Sequence, residues 1–234
     1  MAGWGAVSQE TPDTELLDAF QRCGRALFGG GLNNSHSGNL SVRAAVDGRQ
    51  GTWVTRTRSM GHEIRPRDVV FAADAARDER SDLSREFVVH HAIYRGTDHA
   101  AVVHCHPRDA ITLAFVEDEI VPLQIEGHGA LPGRVPVLEV ANASASPELC
   151  EAIAPMLADV PAVMVRGHGL FVGAASLDQA THRAFVVNEA ARMILDLRAI
   201  GVDDATLRDK PYIAAGYGGA ARPVANGAAP TAAT

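Results

Sequence analysis

Two histidines separated by one residue close the stretch Val102-Val103-His104-Cys105-His106-Pro107. Alternate residues of a β-strand share a face, so a strand ending here sets His104 and His106 side by side. Paired imidazoles at a strand end suit a divalent cation. Cys105 then points to the opposite face, where it reads as a small core residue. Upstream, Glu86 lies four residues before His90 on a helical stretch, so the two share a face and a carboxylate comes near the same place. A third imidazole is available in Gly167-His168-Gly169. Three histidines with one position left open make a donor set for catalysis; a closed structural site fills all four positions.

These groups need a scaffold, and the chain spells one out. Thr11-Pro12-Asp13 opens a helix whose apolar positions Leu16, Leu17, Phe20, Ala26 and Leu27 keep helical spacing until Gly29-Gly30-Gly31. A polar loop containing His36 leads through Asn39 into the strand Leu40–Arg43, and Asp47-Gly48 turns it back into Thr52–Thr55. Arg56 to Arg67 reads as a basic loop and Asp68–Ala72 as a strand, followed by a charged, solvated stretch from Asp74 to Asp82. The Glu86 helix, the His104 strand and a helix opened by Pro107 come next. Short strands at 120–123 and 135–138 bracket a loop holding Gly127-His128-Gly129. Ser146-Pro147-Glu148 starts a helix to about Leu157. Strands at 162–165 and 170–172 flank His168, and Ser176 with Gln179 forms a capping box on a helix to about Ile200. Residues 1–10 read as a flexible N-terminus and 216–234 as a disordered tail, leaving a single domain over 11–215. Hairpin-like strand pairs with a few long helices predict an α/β fold, three-layer α/β/α with a central, mainly antiparallel sheet. No GxGxxG is present, which argues against a dinucleotide fold.

Composition narrows the function classes. The 234 residues carry a net charge of −7 without a Lys/Arg block, so nucleic acid is not expected as a partner. No apolar run reaches membrane-spanning length and no leader pattern is visible. Three widely spaced cysteines, Cys23, Cys105 and Cys150, suit a reducing cytoplasm better than a disulfide framework.

Taken together, Gly38-Asn39-Leu40-Ser41-Val42-Arg43, the Glu86–His90 helix, the His104–Pro107 stretch, Gly167-His168-Gly169 and the helix around Glu189 resemble the class II aldolase/adducin family in their order along residues 15–200. The resemblance implies a metal-dependent lyase with one divalent ion per subunit (zinc, manganese, iron or cobalt) held by His104, His106 and His168. Glu86 is implied as a resting-state ligand or as the acid/base. A homotetramer with active sites between subunits is also implied. Sugar-phosphate members grip phosphate with a Thr-Gly pair and a Ser-Ser pair. Here Thr57-Arg58 and Ser84-Arg85 stand in those places, and guanidiniums suit planar carboxylates.

The expected substrate is therefore a small carboxylate, and the expected activity is decarboxylation of a hydroxylated aromatic vicinal dicarboxylate of phthalate or pyridine type. A sugar-phosphate aldolase or 4-epimerase is the alternative, and a non-catalytic adducin-like binding module is a third reading. Breaking a carbon–carbon bond leaves an electron pair that a metal on an adjacent oxygen can absorb. Glu86 or His128 returns the proton, Arg58 and Arg85 hold the remaining carboxylate, and Asn39 and Ser84 complete the substrate contacts. Plainer readings stand beside these: Glu86 as a helix N-terminal acid, Asn39 as a turn residue, Arg58 and Arg85 as solvent-facing charges, His90 and His91 as helix packing, and His36 as a solvated loop residue.

Overall fold

The computed structural model describes residues 11–74, 82–208 and 210. The expected flexible N-terminus, the expected tail and most of the charged stretch after Asp74 lie outside the described residues. Helix α1 (Thr14–Gly29) is capped by Asp13, whose carboxylate accepts from Leu16 N at 2.8 Å. This satisfies one of the donors that a helix start leaves unpaired. Strands β1 (Asn39–Val46) and β2 (Arg49–Thr55) form a hairpin. Its turn places both Asp47 (φ 50°) and Gly48 (φ 75°) in the left-handed region. That geometry matches the twist of the flanking strands and favours an Asp-Gly pair.

The remaining elements are β3 (Val69–Ala73), α2 (Phe87–Gly96), β4 (Ala101–Cys105), α3 (Arg108–Ala114), β5 (Glu119–Ile120), α4 (Ile125–Ala130), β6 (Val135–Leu138), α5 (Pro147–Asp159), β7 (Ala162–Val165), β8 (Gly169–Ala174) and α6 (Leu177–Ala199). The sheet runs β3-β2-β1-β4-β8-β7-β6-β5. Every pairing is antiparallel except β6 with β7.

Side-chain alternation sorts the sheet into two faces. Ala101, Val103 and Cys105 of β4 pack with α1, α3 and α6, while Val102 packs with α2 and α5. Helices thus cover both sides of a mostly antiparallel sheet, as the pattern predicted. Arg43 of β1 ties one helix down. Its guanidinium donates to the carbonyls of Tyr94, Thr97 and His99, the last acceptors of α2 and the turn after it.

Three local expectations are corrected. The segment 120–123 contributes only Glu119–Ile120 to the sheet. Gly127-His128-Gly129 is helical, inside α4, with His128 N donating to Gln124 O at 3.3 Å and Leu131 N to Gly127 O at 2.8 Å. Ser176 accepts from Gln179 N, but Gln179 Oε1 accepts from Ala175 N, one residue before the cap that the ideal box would engage.

Candidate metal centre and its cavity

β4 occupies the middle of the sheet between β1 and β8, and its end carries the site. His104 Nδ1 lies 3.1 Å from the carbonyl of Leu170 on β8. A carbonyl can only accept, so Nδ1 holds the proton and the Nε2 lone pair is left for a ligand. The His104 ring stacks on Phe171 with centroids 4.1 Å apart, which fixes its plane. His106 Nε2 stands 3.0 Å from His104 Nε2.

The turn between β7 and β8 supplies His168. Gly167 takes φ 70°, a conformation that glycine adopts without steric cost. Gly169 makes room: a Cβ there would come within 2.6 Å of the Cys105 carbonyl and 3.0 Å of His104 Cε1. Together the two glycines let His168 turn in against the other two rings. One ligand atom from each of His104, His106 and His168 lies within 4.8 Å of the others.

The electrostatics agree with the geometry. Burial holds His104 well below the usual imidazole range, with the neighbouring His106 and His168 adding to the effect. Burial, then His168, pushes His106 down to about 4. Both rings are therefore neutral near pH 7 and offer lone pairs, as metal ligands must. His168 Nδ1 is buried with no hydrogen-bond partner. Buried polar atoms are rarely left this way, and a bound cation supplies a partner for such a nitrogen. Three convergent imidazoles, with His104 and His106 held neutral by burial and an orphaned nitrogen on His168, fit a divalent ion.

A cavity of about 250 Å³ opens over the three rings. Its wall includes Asn39, Arg58, Ser84, Arg85 and Glu86, so every expected site residue except His128 reaches one place. Asn39 pairs in register with His104 across β1 and β4, and its Oδ1 is buried without a partner. Arg58 has φ 63°, left-handed for a residue that carries a Cβ. An isolated bridge between Arg56 and Leu83 draws the 56–59 loop against the 82–85 segment. Arg56 is committed to Asp82 at 3.5 Å and to the Arg67 carbonyl. Arg58 and Arg85 are exposed and make no ion pair with another described residue.

Two expectations take a different form. Among the described residues, Glu86 is not in the group of mutually close ligand atoms. Helix α2 begins at Phe87, so Glu86 occupies the cap position, and its side chain reaches across to the segment before α5. There Oε1 accepts from Ser144 Oγ at 2.5 Å and Oε2 from Ala145 N at 3.2 Å. His128 sits on α4, which packs against α6, and it does not line the cavity of its own chain.

Ser144, Ser37 and Ser59 line the cavity without having been singled out from sequence. Ser144 stands in an Ala/Ser/Asn stretch that carries no pattern, so only the fold reveals it. His90 and Tyr94 also have a definite place. Ser41 Oγ lies 2.6 Å from His90 Nδ1 and 2.7 Å from the Tyr94 hydroxyl, behind Phe171. Burial pushes His90 down to about 3.

Comparison with known proteins follows the same lines. The chain is 28% identical over 204 residues to 3,4-dihydroxyphthalate decarboxylase of Rhodococcus jostii, covering 80% of this chain and 84% of that one. It is 26% identical over 175 residues to L-fuculose phosphate aldolase of Haemophilus influenzae, covering 74% and 79%. Among solved structures, l-fuculose-1-phosphate aldolase of Thermus thermophilus superposes with a TM-score of 0.73 at 30% identity, over 81% of this chain and 97% of that one. Residues 18–195 match the model of the class II aldolase and adducin N-terminal domain, and the chain belongs to that family.

Proposed function

We propose that this protein is a divalent-metal-dependent decarboxylase of a hydroxylated aromatic vicinal dicarboxylate, of phthalate or pyridine type. The observation that carries the reading is the pair Arg58 and Arg85, two guanidiniums that make no ion pair with another described residue, on the same cavity wall as the three imidazoles. A guanidinium matches a carboxylate with two parallel hydrogen bonds. A 250 Å³ cavity suits a single ring with its substituents. The resemblance to a dihydroxyphthalate decarboxylase at 28% identity supports the same class.

His104, His106 and His168 would hold the ion, which when bound supplies a Lewis acid for the electron pair released as the carbon–carbon bond breaks. Arg58 and Arg85 hold the carboxylate that stays and orient the ring. Asn39, with an unpartnered buried oxygen, accepts from a substrate hydroxyl. Ser84 contributes a further hydroxyl at the carboxylate end. Among the described residues Glu86 is the one carboxylate on the wall, and Ser144 and Ala145 keep it in place to accept a proton from a substrate hydroxyl. The family relation also supports a homotetramer with cavities near subunit boundaries, where His128 would have to act if it serves the reaction, and a cytoplasmic location. No helix among the described residues is long and apolar enough to cross a membrane.

A sugar-phosphate aldolase is the second reading, favoured by the hydroxyls of Thr57, Ser59 and Ser84 beside the arginines. The test is turnover by metal-loaded protein of 3,4-dihydroxyphthalate against fuculose 1-phosphate. Stoichiometric carbon dioxide from the aromatic acid is expected. Cleavage of the sugar phosphate with no carbon dioxide from any aromatic dicarboxylate would overturn the proposal.

A further inference from the structure

Strand β1 and helix α2 meet along two matched polar stripes. Asn39, Ser41 and Arg43 alternate along β1 and share one face, while Leu40 joins the apolar cluster on the other. Glu86 at the cap of α2, then His90 and Tyr94, recur every four residues and share one face of the helix. The stripes meet at three stations. Asn39 and Glu86 line the cavity. Ser41 Oγ lies 2.6 Å from His90 Nδ1 and 2.7 Å from the Tyr94 hydroxyl. Arg43 holds the carbonyls of Tyr94 and Thr97 at the far end of α2, with its guanidinium 5.0 Å from the centre of the Tyr94 ring.

The middle station is set in an apolar layer. Ser41 and His90 are fully buried, Ser41 opposite Val102 in register and His90 edge-on to Phe171. His90 Nε2 has no hydrogen-bond partner. A polar trio with an orphaned nitrogen stabilises a core less than a good apolar fit would. What it adds is direction. Apolar surfaces can slide past one another, whereas a short hydrogen bond fixes where along β1 the helix stands.

We infer that Ser41 and His90 are positioning residues that hold Glu86 at its place in the cavity. His90 N donates to Glu86 O at 3.2 Å, so the pinned residue is joined to Glu86 across the first turn of α2. On the strand side, Ser41 lies two residues from Asn39, which pairs with His104. The Ser41–His90 contact therefore ties the carboxylate to the strands that carry Asn39 and the metal-site imidazoles. Burial keeps His90 neutral, so it acts as a hydrogen-bonding group and carries no proton for the reaction. A reacting group displaced by about 1 Å loses on the order of 100-fold in rate.

The role given to Glu86 rests on the lyase reading, so one arm of the test needs no substrate. Amide hydrogen exchange in full-length protein is compared at Ala145, whose N–H donates to Glu86 Oε2, and at Leu149, whose N–H donates to Ser146 Oγ. Ser41→Ala and His90→Leu should each speed exchange at Ala145 about tenfold, the scale of one hydrogen bond, and leave Leu149 as in the wild type. In the second arm, metal-loaded variants are given 3,4-dihydroxyphthalate and, in parallel, fuculose 1-phosphate. For whichever compound the wild type consumes, kcat should fall about 10- to 100-fold with KM and metal content unchanged. Either variant suffices where the other does not fold. Equal acceleration of both amides, an unchanged Ala145, or a kcat loss matched by loss of metal overturns the assignment. Turnover of the sugar phosphate alone removes the aromatic substrate and leaves Ser41 and His90 judged by the same kcat ratio. A wild type that consumes neither compound removes the lyase reading, and the amide pattern still decides whether Ser41 and His90 hold Glu86.

Discussion

His104 Nε2 and His106 Nε2 face each other at 3.0 Å, with burial keeping both rings neutral near pH 7. Two lone pairs this close repel unless a proton or a cation lies between them. The strand spacing creates the pair, and the Leu170 carbonyl prevents His104 from turning its protonated nitrogen inward.

Metal binding should therefore be strong, and tied to stability. Wild-type protein is expected to take up one equivalent of zinc, manganese or cobalt, and His168→Ala to lose most of it by elemental analysis. A ligand at about 100 times its dissociation constant adds ~2.7 kcal/mol to stability, which for a domain of this size is about 5–10 °C in Tm. Chelation should lower wild-type Tm by that amount and leave His168→Ala unmoved.

The two glycines around His168 should fail differently. Gly167→Ala meets only the Phe115 ring, at an ordinary contact distance of 3.7 Å, but must keep φ 70°, at a cost of about 1–2 kcal/mol with metal affinity nearly retained. Gly169→Ala drives a methyl into the Cys105 carbonyl and the His104 ring, so metal affinity should fall at least about tenfold, the scale seen when groups supporting metal ligands are disturbed. Calorimetric metal titration beside thermal melting separates the cases; equal affinities for both variants would refute this account of the turn.

Arg58→Gln and Arg85→Gln should each raise KM for an aromatic dicarboxylate by about 10- to 100-fold, the range for one charge-assisted contact. Lysine should restore only part of this, because it lacks the planar fork. Metal content should not change. Unaltered KM in both variants would remove the carboxylate clamp.

Acid stability of the metal-free protein carries its own signature. His90 in the fold titrates at about 3 and His106 at about 4, against roughly 6.5 for an unfolded histidine. The unfolded chain thus binds more protons between those values, and stability falls as pH drops from about 6.5 toward 3–4. Denaturant melts across this range should show that slope, and His90→Gln should reduce it by up to one proton. A slope unchanged in the variant would show that His90 does not contribute.

Much of this site was legible in the residues because its parts follow short-range rules. Period-two alternation set His104 and His106 on one face, and Cys105 does face α1, α3 and α6. Ser146 and Ser176 do cap their helices. What escaped depended on distance in sequence. The resemblance implied Glu86 as a resting ligand or the acid/base, but its hydrogen bond from Ser144, 58 residues away, could not be read from its helix register. His128 looked loop-borne because two glycines flank it, yet Gly127 packs against Pro122 inside a helical turn. Ser144 became visible only when the segment before α5 folded over α2.

Arg58 points to a practical limit on redesign. Its left-handed backbone suits glycine, the residue that sugar-phosphate members are expected to carry at this place. Arg58→Gly should thus yield a sturdier scaffold, by about 1 kcal/mol, and a poorer grip on its substrate. Selection for heat tolerance would drift toward that replacement and discard the anchor, so an engineering campaign would have to screen turnover alongside melting.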